Sequence, residues 1–600
     1  MTLRRGVIAA RCFALLLVGF FPAAPAQATI RYAISVARPE QHFFHVTMTI
    51  PEVENEVVVQ LPAWNALYQV RDFAHHLTGL NASDDASRPL AVLKLNKETW
   101  RIRGSGTITV RYASYWDEPG AFNAQLNASH AFLNLALVLL YVPDRRGDDA
   151  RIVFDDLPAS WRVAVALHPE KTAAGQRAGS YVAANYDALV DAPVEMGMFE
   201  EFLLRTGGPP VRVVVHGDAW KREQVEETLR RIVSYEIQLM RGAPFDEYVF
   251  LYHIGSTAGG GSGGMEHAHS TAIFIDSMGY FENVSAHEFF HLWNVKRIRP
   301  QSLEPVDYTG EQWTRSLWFA EGVTSSYASY TLVRTGLWTR RQFYDDLAGQ
   351  LTDLEARPAR LWQSVEQASL DAWFEKYPLY RRPDFSISYY NKGQILGVLL
   401  DILIRDATDN RSSLDDVLRD LNDRFARQGR FYQDSADIRA SAERIAGRSF
   451  EEFFTRYVAG TDELPCAELL ARAGLVLKGT GSARAEFGFL AVRGAGAAAV
   501  AVEIEPGSTA EQAGVREGDV LLTLNGAAFP RNPIRWLHEH RPGETVRLGF
   551  RHENNLKEVS FALSERRERV YSLEEAGNPA EKQRRILDGL LHGTTDGPRP

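Results

Sequence analysis

Two histidines four residues apart, with a glutamate directly behind the first, constrain this chain more than any other stretch: His287-Glu288-Phe289-Phe290-His291 in "VSAHEFFHLWN". On a helix such positions share one face with Cβ atoms about 6 Å apart, so both imidazoles can reach a single ion. Glu288 is turned about 100° from His287, beside such an ion, where it can take a proton from water. The fold must then bring a further ligand from another segment and leave one position open, the arrangement of catalytic zinc. In a chain with 16 histidines among 600 residues the five-residue pattern arises by chance on the order of a few times in a hundred. The third ligand therefore decides the reading. Glu321 in "LWFAEGVTSSY" supplies it, early in the next apolar helix with 29 residues between it and His291. A carboxylate inside an apolar run is costly unless a cation pairs with it.

Around this center the periodicity changes along the chain. From Ile30 to about Pro210 short alternating segments such as "HFFHVTMTI" and "GTITVRYAS" predict an all-β domain, a sandwich. The strand "VRVVVHG" then gives way to a helix with Val225, Leu229, Ile232 and Val233 on one face, followed by strands at "EYVFLYHI" and "STAIFID". From Asn283 to about Gly474 the chain reads as helical, including the nearly all-apolar "GQILGVLLDILI". Beyond about Ala485 short strands and turns return, and past Arg567 a charged stretch with one weak amphipathic helix ends in "TTDGPRP", expected to be disordered.

The first residues carry Arg4 and Arg5, the apolar run "CFALLLVGFF" and small residues at Ala26 and Ala28, the pattern of a signal peptide cleaved after Ala28. The expected product is exported, periplasmic or secreted, with Cys466 its one cysteine and with no membrane association. A formal net charge of -10 gives no basic footprint for nucleic acid, so peptide or small-molecule partners are expected.

Two further elements suit peptide chemistry. "GGMEH" sets Gly264, Met265 and Glu266 between a flexible glycine run and a strand, where extended backbone can line a substrate groove and the Glu266 carboxylate can hold a free ammonium group. "SYYNKG" puts Tyr390 at the start of a buried helix, where its phenol can donate to a developing oxyanion. His253, His267 and His269 lie in a second histidine-rich stretch and are read as groove polarity or a separate cluster.

Together, "HEFFHLWNVKRIRP", "LWFAEGVTSSY", "GGMEH" and "SYYNKG" resemble the glycyl aminopeptidase family of gluzincin metallopeptidases, distant relatives of aminopeptidase N. The resemblance spans nearly the whole mature chain and implies a multidomain α+β protein. Its expected parts are a signal peptide (1–28), an N-terminal β-domain (29–210), a thermolysin-like zinc catalytic domain with a helical C-terminal part (211–474), a PDZ domain (475–566) and a tail (567–600). It also implies that His287, His291 and Glu321 bind Zn2+, that Glu288 is the general base, that Tyr390 is the tyrosine of a Tyr-x-Lys-Gly pattern, and that Glu266 anchors the substrate amine. The family asparagine after that glutamate is His267 here, and four residues past Glu321 stands Ser325 instead of the aspartate that thermolysin relatives use to orient a ligand histidine.

"PGSTAEQAGVREGDVLLTLNG" resembles a PDZ core, with "EFGFL" as its carboxylate-binding loop. Phe487, Gly488 and Phe489 are the expected contacts for a peptide C-terminus added as a β-strand. The expected function is a zinc-dependent aminopeptidase removing small N-terminal residues, glycine or alanine, from peptides. The alternatives are a zinc endopeptidase using the same site and a non-catalytic, chaperone-like peptide-binding protein.

Overall fold

A computed structural model describes residues 29–65, 68–170, 179–259, 262–493 and 498–596; the expected signal peptide, 1–28, lies outside the described residues. Alternation of apolar and polar residues builds the N-terminal β-rich part. In the strand Phe43–Val53 every second side chain from Phe44 to Ile50, namely Phe44, Val46, Met48 and Ile50, is buried. Its strands divide into a seven-stranded, a four-stranded and a three-stranded sheet. All three contribute to one core, with Ile34 and Val46 from the first, Leu133 and Val194 from the second, and Val59 and Ile102 from the third.

A five-stranded sheet follows. Val211–Gly217, Tyr248–Ile254 and Ser270–Ile275 run parallel at its center, flanked antiparallel by Glu200–Leu204 on one edge and Gly263–Glu266 on the other. Tyr248–Ile254 and Ser270–Ile275 are buried along their whole length, as strands covered on both faces must be. Because Glu200–Leu204 pairs with Val211–Gly217, this sheet begins at residue 200, ahead of the domain boundary expected at 210.

Helices pack against this sheet and share one core with it. Arg222–Leu239 is the crossover, with Val225, Leu229, Ile232 and Val233 buried. Phe281–Phe290 carries the HExxH motif, Trp318–Val323 is a π-helical turn leading into Thr324–Arg334, and Tyr389–Ala407 runs through the center, buried from Asn391 to Arg405. No described helix is long and apolar enough to cross a membrane.

The C-terminal part opens and closes with one antiparallel ribbon, Leu475–Glu486 against Ser564–Glu575 in unbroken register. Between its strands lies a smaller β-unit with its own core around Phe487, Ala501, Leu548 and Phe550. Past Arg567 the ribbon continues to Glu575, and the amphipathic helix expected there, Glu581–His592, buries Ile586, Leu587, Leu590 and Leu591 against the helical core. Of the polar end expected to be disordered, 597–600 lie outside the described residues, while the Asp596 carboxylate accepts from Asn410 at 3.0 Å.

Candidate metal center and peptide cleft

The helix Phe281–Phe290 ends at His291, whose backbone N–H still bonds to the His287 carbonyl, so both imidazoles leave one face. Their Nε2 atoms lie 3.0 Å apart, and Glu321 Oε2 stands 3.3 Å from the first and 3.2 Å from the second. A tetrahedral ion with bonds of about 2.0–2.1 Å needs ligand-to-ligand edges of about 3.3 Å, which this triangle supplies.

The outer nitrogens fix the tautomers. His291 Nδ1 donates to the Asn294 carbonyl at 2.7 Å, a group that can only accept. Ser325 Oγ gives its own proton to the Glu321 carbonyl at 3.1 Å, so it accepts from His287 Nδ1 at 3.3 Å. Both Nε2 lone pairs therefore face each other beside a carboxylate, an arrangement stable only with a cation or a proton between them. Burial opposes charge on His291, but Glu321, by charge and by hydrogen bond, outweighs it and raises that imidazole to about 10. Burial likewise opposes ionization of Glu321, yet the two histidines hold it well below the carboxylate range. A divalent cation replaces the bound proton with the same ligands. The donor set fits such an ion.

Asn294 and Ser325 lock this geometry. Asn294 Nδ2 donates to the Phe319 carbonyl at 2.8 Å and to Thr324 Oγ1 at 3.1 Å, clasping the HExxH segment to both ends of the turn that carries Glu321. Its only sequence signal was a buried amide three residues after His291. Ser325 takes the orienting role of the missing aspartate.

Glu288 lies beside the triad, 6% exposed, with Oε2 lacking a hydrogen-bond partner among the described residues. Burial pushes its carboxyl well above the ordinary value; His291 opposes this, while Glu266 and Glu321 add to it. The edge strand Gly263–Glu266 passes directly over it. A Cβ on Gly264 would collide with the Glu288 side chain, so only glycine lets the backbone approach this closely. Strand alternation then puts Glu266 on the same side, where its carboxylate comes within 4.8 Å of ligand atoms of Glu288 and His291. Met265 faces the other way, buried with Phe132, Val214 and Phe274, and also lines the cleft.

Tyr390 is 40% exposed in the cleft, its ring centroid 6.1 Å from that of His287. Desolvation, reinforced by Glu321, raises its phenol well above the usual value, so it is a neutral donor. The cleft, of about 530 Å³, is also lined by Tyr68 from the β-rich part and by Glu375, neither of which carries a sequence signal. Burial brings the Glu375 carboxyl up to about 7, against Arg381 and with help from Glu321.

The second histidine stretch does not form one cluster. His267 is buried and faces Asp191 at 3.1 Å, which also accepts from Lys296 at 2.8 Å. His253 points to the opposite face of the sheet and meets Glu195 at 2.8 Å beside His130 and His216. In the C-terminal unit Phe487 is 1% exposed and stacks on Phe489 and Trp536, so its side chain is part of the core. Gly488 turns the chain there with φ 76°.

Comparison with known proteins follows this geometry. The model of the M61 glycyl aminopeptidase family matches residues 280–396, and that of the peptidase M61 N-terminal domain matches residues 31–198. An aminopeptidase N family protein from Idiomarina loihiensis aligns with a TM-score of 0.81 at 25% identity, over 94% of this chain and 100% of that one. Two crystal structures of a variant M1 zinc metallopeptidase from Deinococcus radiodurans, one bound to a Tyr-Ser-Ala substrate, align with a TM-score of 0.46 at 15% and 14% identity, over 73% of this chain and 95% of theirs. No curated protein matches the chain. Two stretches of the chain are thus similar to the two domains of the M61 glycyl aminopeptidase family, set in a fold similar to that aminopeptidase N family protein along nearly its whole length.

Proposed function

We propose that the protein is a zinc-dependent aminopeptidase that removes small N-terminal residues, glycine or alanine, from peptides. The observation that carries the reading is the triangle of His287 Nε2, His291 Nε2 and Glu321 Oε2, with edges of 3.0–3.3 Å, beside an unpartnered, proton-binding Glu288. Zinc held there supplies Lewis-acid polarization of the scissile carbonyl and acidifies water. Glu288 takes the proton from the attacking water, and its raised affinity for protons suits it to pass that proton on to the leaving amine. Tyr390 donates its phenolic proton in a hydrogen bond to the carbonyl oxygen as negative charge develops. Glu266 holds the free α-ammonium, which sets the scissile bond one residue from the chain end. The backbone of Gly263–Glu266, an edge strand, aligns the peptide by β-addition.

In the same reading residues 1–28 are a cleaved export signal, and the product works in the periplasm or outside the cell. The C-terminal unit is a PDZ module. In its favor, Leu490–Arg493 ends its sheet with one side unpaired among the described residues, next to the Gly488 turn, and exposes Leu490 and Val492.

The test is hydrolysis of glycyl, alanyl and leucyl p-nitroanilides against their N-acetylated forms, with and without a chelator. Glycyl and alanyl amides should be cleaved fastest, acetylated forms spared, and chelated enzyme inactive until zinc is restored. Internal cleavage of blocked peptides would instead identify an endopeptidase.

A further inference from the structure

The first turn of Tyr389–Ala407 separates two cavities. Tyr390 faces the metal cleft, and Lys392, about 200° further round the helix, lines a second cavity of about 250 Å³ between the helical part and the Leu475–Glu486 ribbon. One side of this cavity is apolar, formed by Leu351, Leu354, Leu464, Leu477 and Tyr571, and charged residues line the rest.

Apart from Lys392, the charged residues lining it are paired or exposed. Arg360 pairs with Glu355 at 3.1 Å, Asp462 is taken by Arg456 at 2.7 Å, and Arg569 lies exposed over the Tyr571 ring. Glu463 is exposed at the mouth. Lys392 is 2% exposed and makes no side-chain hydrogen bond or ion pair among the described residues. Burial alone brings its ammonium down to about 8, so it is still charged at neutral pH. A buried cation without a partner costs several kcal/mol, and an anion placed against it recovers part of that cost.

We propose that this cavity is a binding site for a small apolar carboxylate, whose chain fills the leucine-lined space while its carboxylate pairs with Lys392. The occupant is either a simple branched-chain acid or a free apolar amino acid, whose ammonium would in addition meet Glu463 at the mouth. The site is distinct from the metal cleft and does not depend on what that cleft catalyzes.

Titration calorimetry on the zinc-loaded full chain tests this with 4-methylpentanoate, leucine and 3-methylbutylamine. The acid should bind and the amine should not. Leucine binding more tightly than the acid identifies an amino acid as the occupant, and equal or weaker binding identifies a simple carboxylate. Lys392→Met should weaken binding about tenfold or more. Ala467→Trp, at the exposed rim, should block the mouth without touching the buried ammonium. It keeps the test decisive if the lysine variant fails to fold. Absence of binding, equal affinity in wild type and both variants, or equal affinity for the amine overturns the proposal. Equal affinity would place the carboxylate on the catalytic zinc. Peptidase activity is read separately, so failure of this site and failure of the aminopeptidase reading are distinguishable.

Discussion

At the residue scale, one hydroxyl ties two metal ligands together. Ser325 accepts from His287 Nδ1 and donates to the backbone of Glu321, so it orients an imidazole and steadies the turn below the carboxylate. Ser325→Ala should leave the fold intact yet weaken zinc affinity by about 10–100-fold, read by competition with a chromophoric chelator. Unchanged affinity would show that Asn294 alone sets the geometry. In the proposed reaction Glu288 poses the opposite case, a group for the proton and not for the ion. Glu288→Gln should retain stoichiometric zinc and lower kcat by about 10²–10⁴-fold, measured as metal content and turnover on the same sample. The candidate ligands His287, His291 and Glu321 could be picked out in the sequence because metal chemistry demands fixed residue types at fixed spacing. The roles of Asn294, Ser325 and Glu375 could not be, because amides, hydroxyls and lone carboxylates are common and acquire meaning only from what packs beside them.

At the element scale, Glu321 reaches the triad from a π-helical turn, Trp318–Val323, where the sequence pattern predicted the early part of an ordinary helix. An i→i+5 turn leaves the hydrophobic periodicity almost unchanged, so the pattern cannot reveal it. What holds it is contact between backbones. A Cβ on Gly322 would lie 2.5 Å from Gly393 Cα, so the Glu321 turn and the Tyr389–Ala407 helix touch where neither has a side chain. Ligand and phenol are therefore positioned against each other by one glycine pair. Gly393→Ala would press a methyl into the Trp318 carbonyl. Overpacking of this kind costs about 1–3 kcal/mol, so the variant should melt at lower temperature. It should also bind zinc less tightly, because the turn can yield only by moving Glu321. A lower melting temperature with wild-type zinc affinity would show that the turn and the triad are independent. The long helix and the β-strands were readable from periodicity alone. The ribbon partner Ser564–Glu575 was not, since its pairing with Leu475–Glu486 across the whole C-terminal unit is a tertiary fact.

At the scale of the whole molecule, the β-rich part meets the catalytic sheet through a buried group of ionizable side chains. His130 and Glu195 come from one side, and His216 and His253 from the other. Glu195 is 1% exposed; its Oε2 meets His253 Nε2 at 2.8 Å, and its Oε1 has no hydrogen-bond partner among the described residues. Desolvation raises its carboxyl to about 8, only partly opposed by His216. Desolvation lowers His253 to about 3 and His130 to about 2, and it also depresses His216. The signs are opposite. A raised acid favors the folded state below its unfolded value near 4.5, and loses that contribution as pH climbs through about 8. The depressed histidines contribute fully above their unfolded value near 6.5 and lose it as pH falls. Glu195→Gln keeps the shape and a donor toward His253 but removes the acid's dependence, while the histidine contribution is common to both proteins and cancels in their difference. Relative to wild type, the variant should gain about 1.4 kcal/mol for each unit between pH 5 and 8, then level off. Melting curves of the two proteins in parallel across pH 5 to 9 check this, the gap in melting temperature widening with pH to a plateau. A gap that stays constant across that range would mean that Glu195 binds no proton above its unfolded value in the folded protein, and that its burial does not raise its carboxyl.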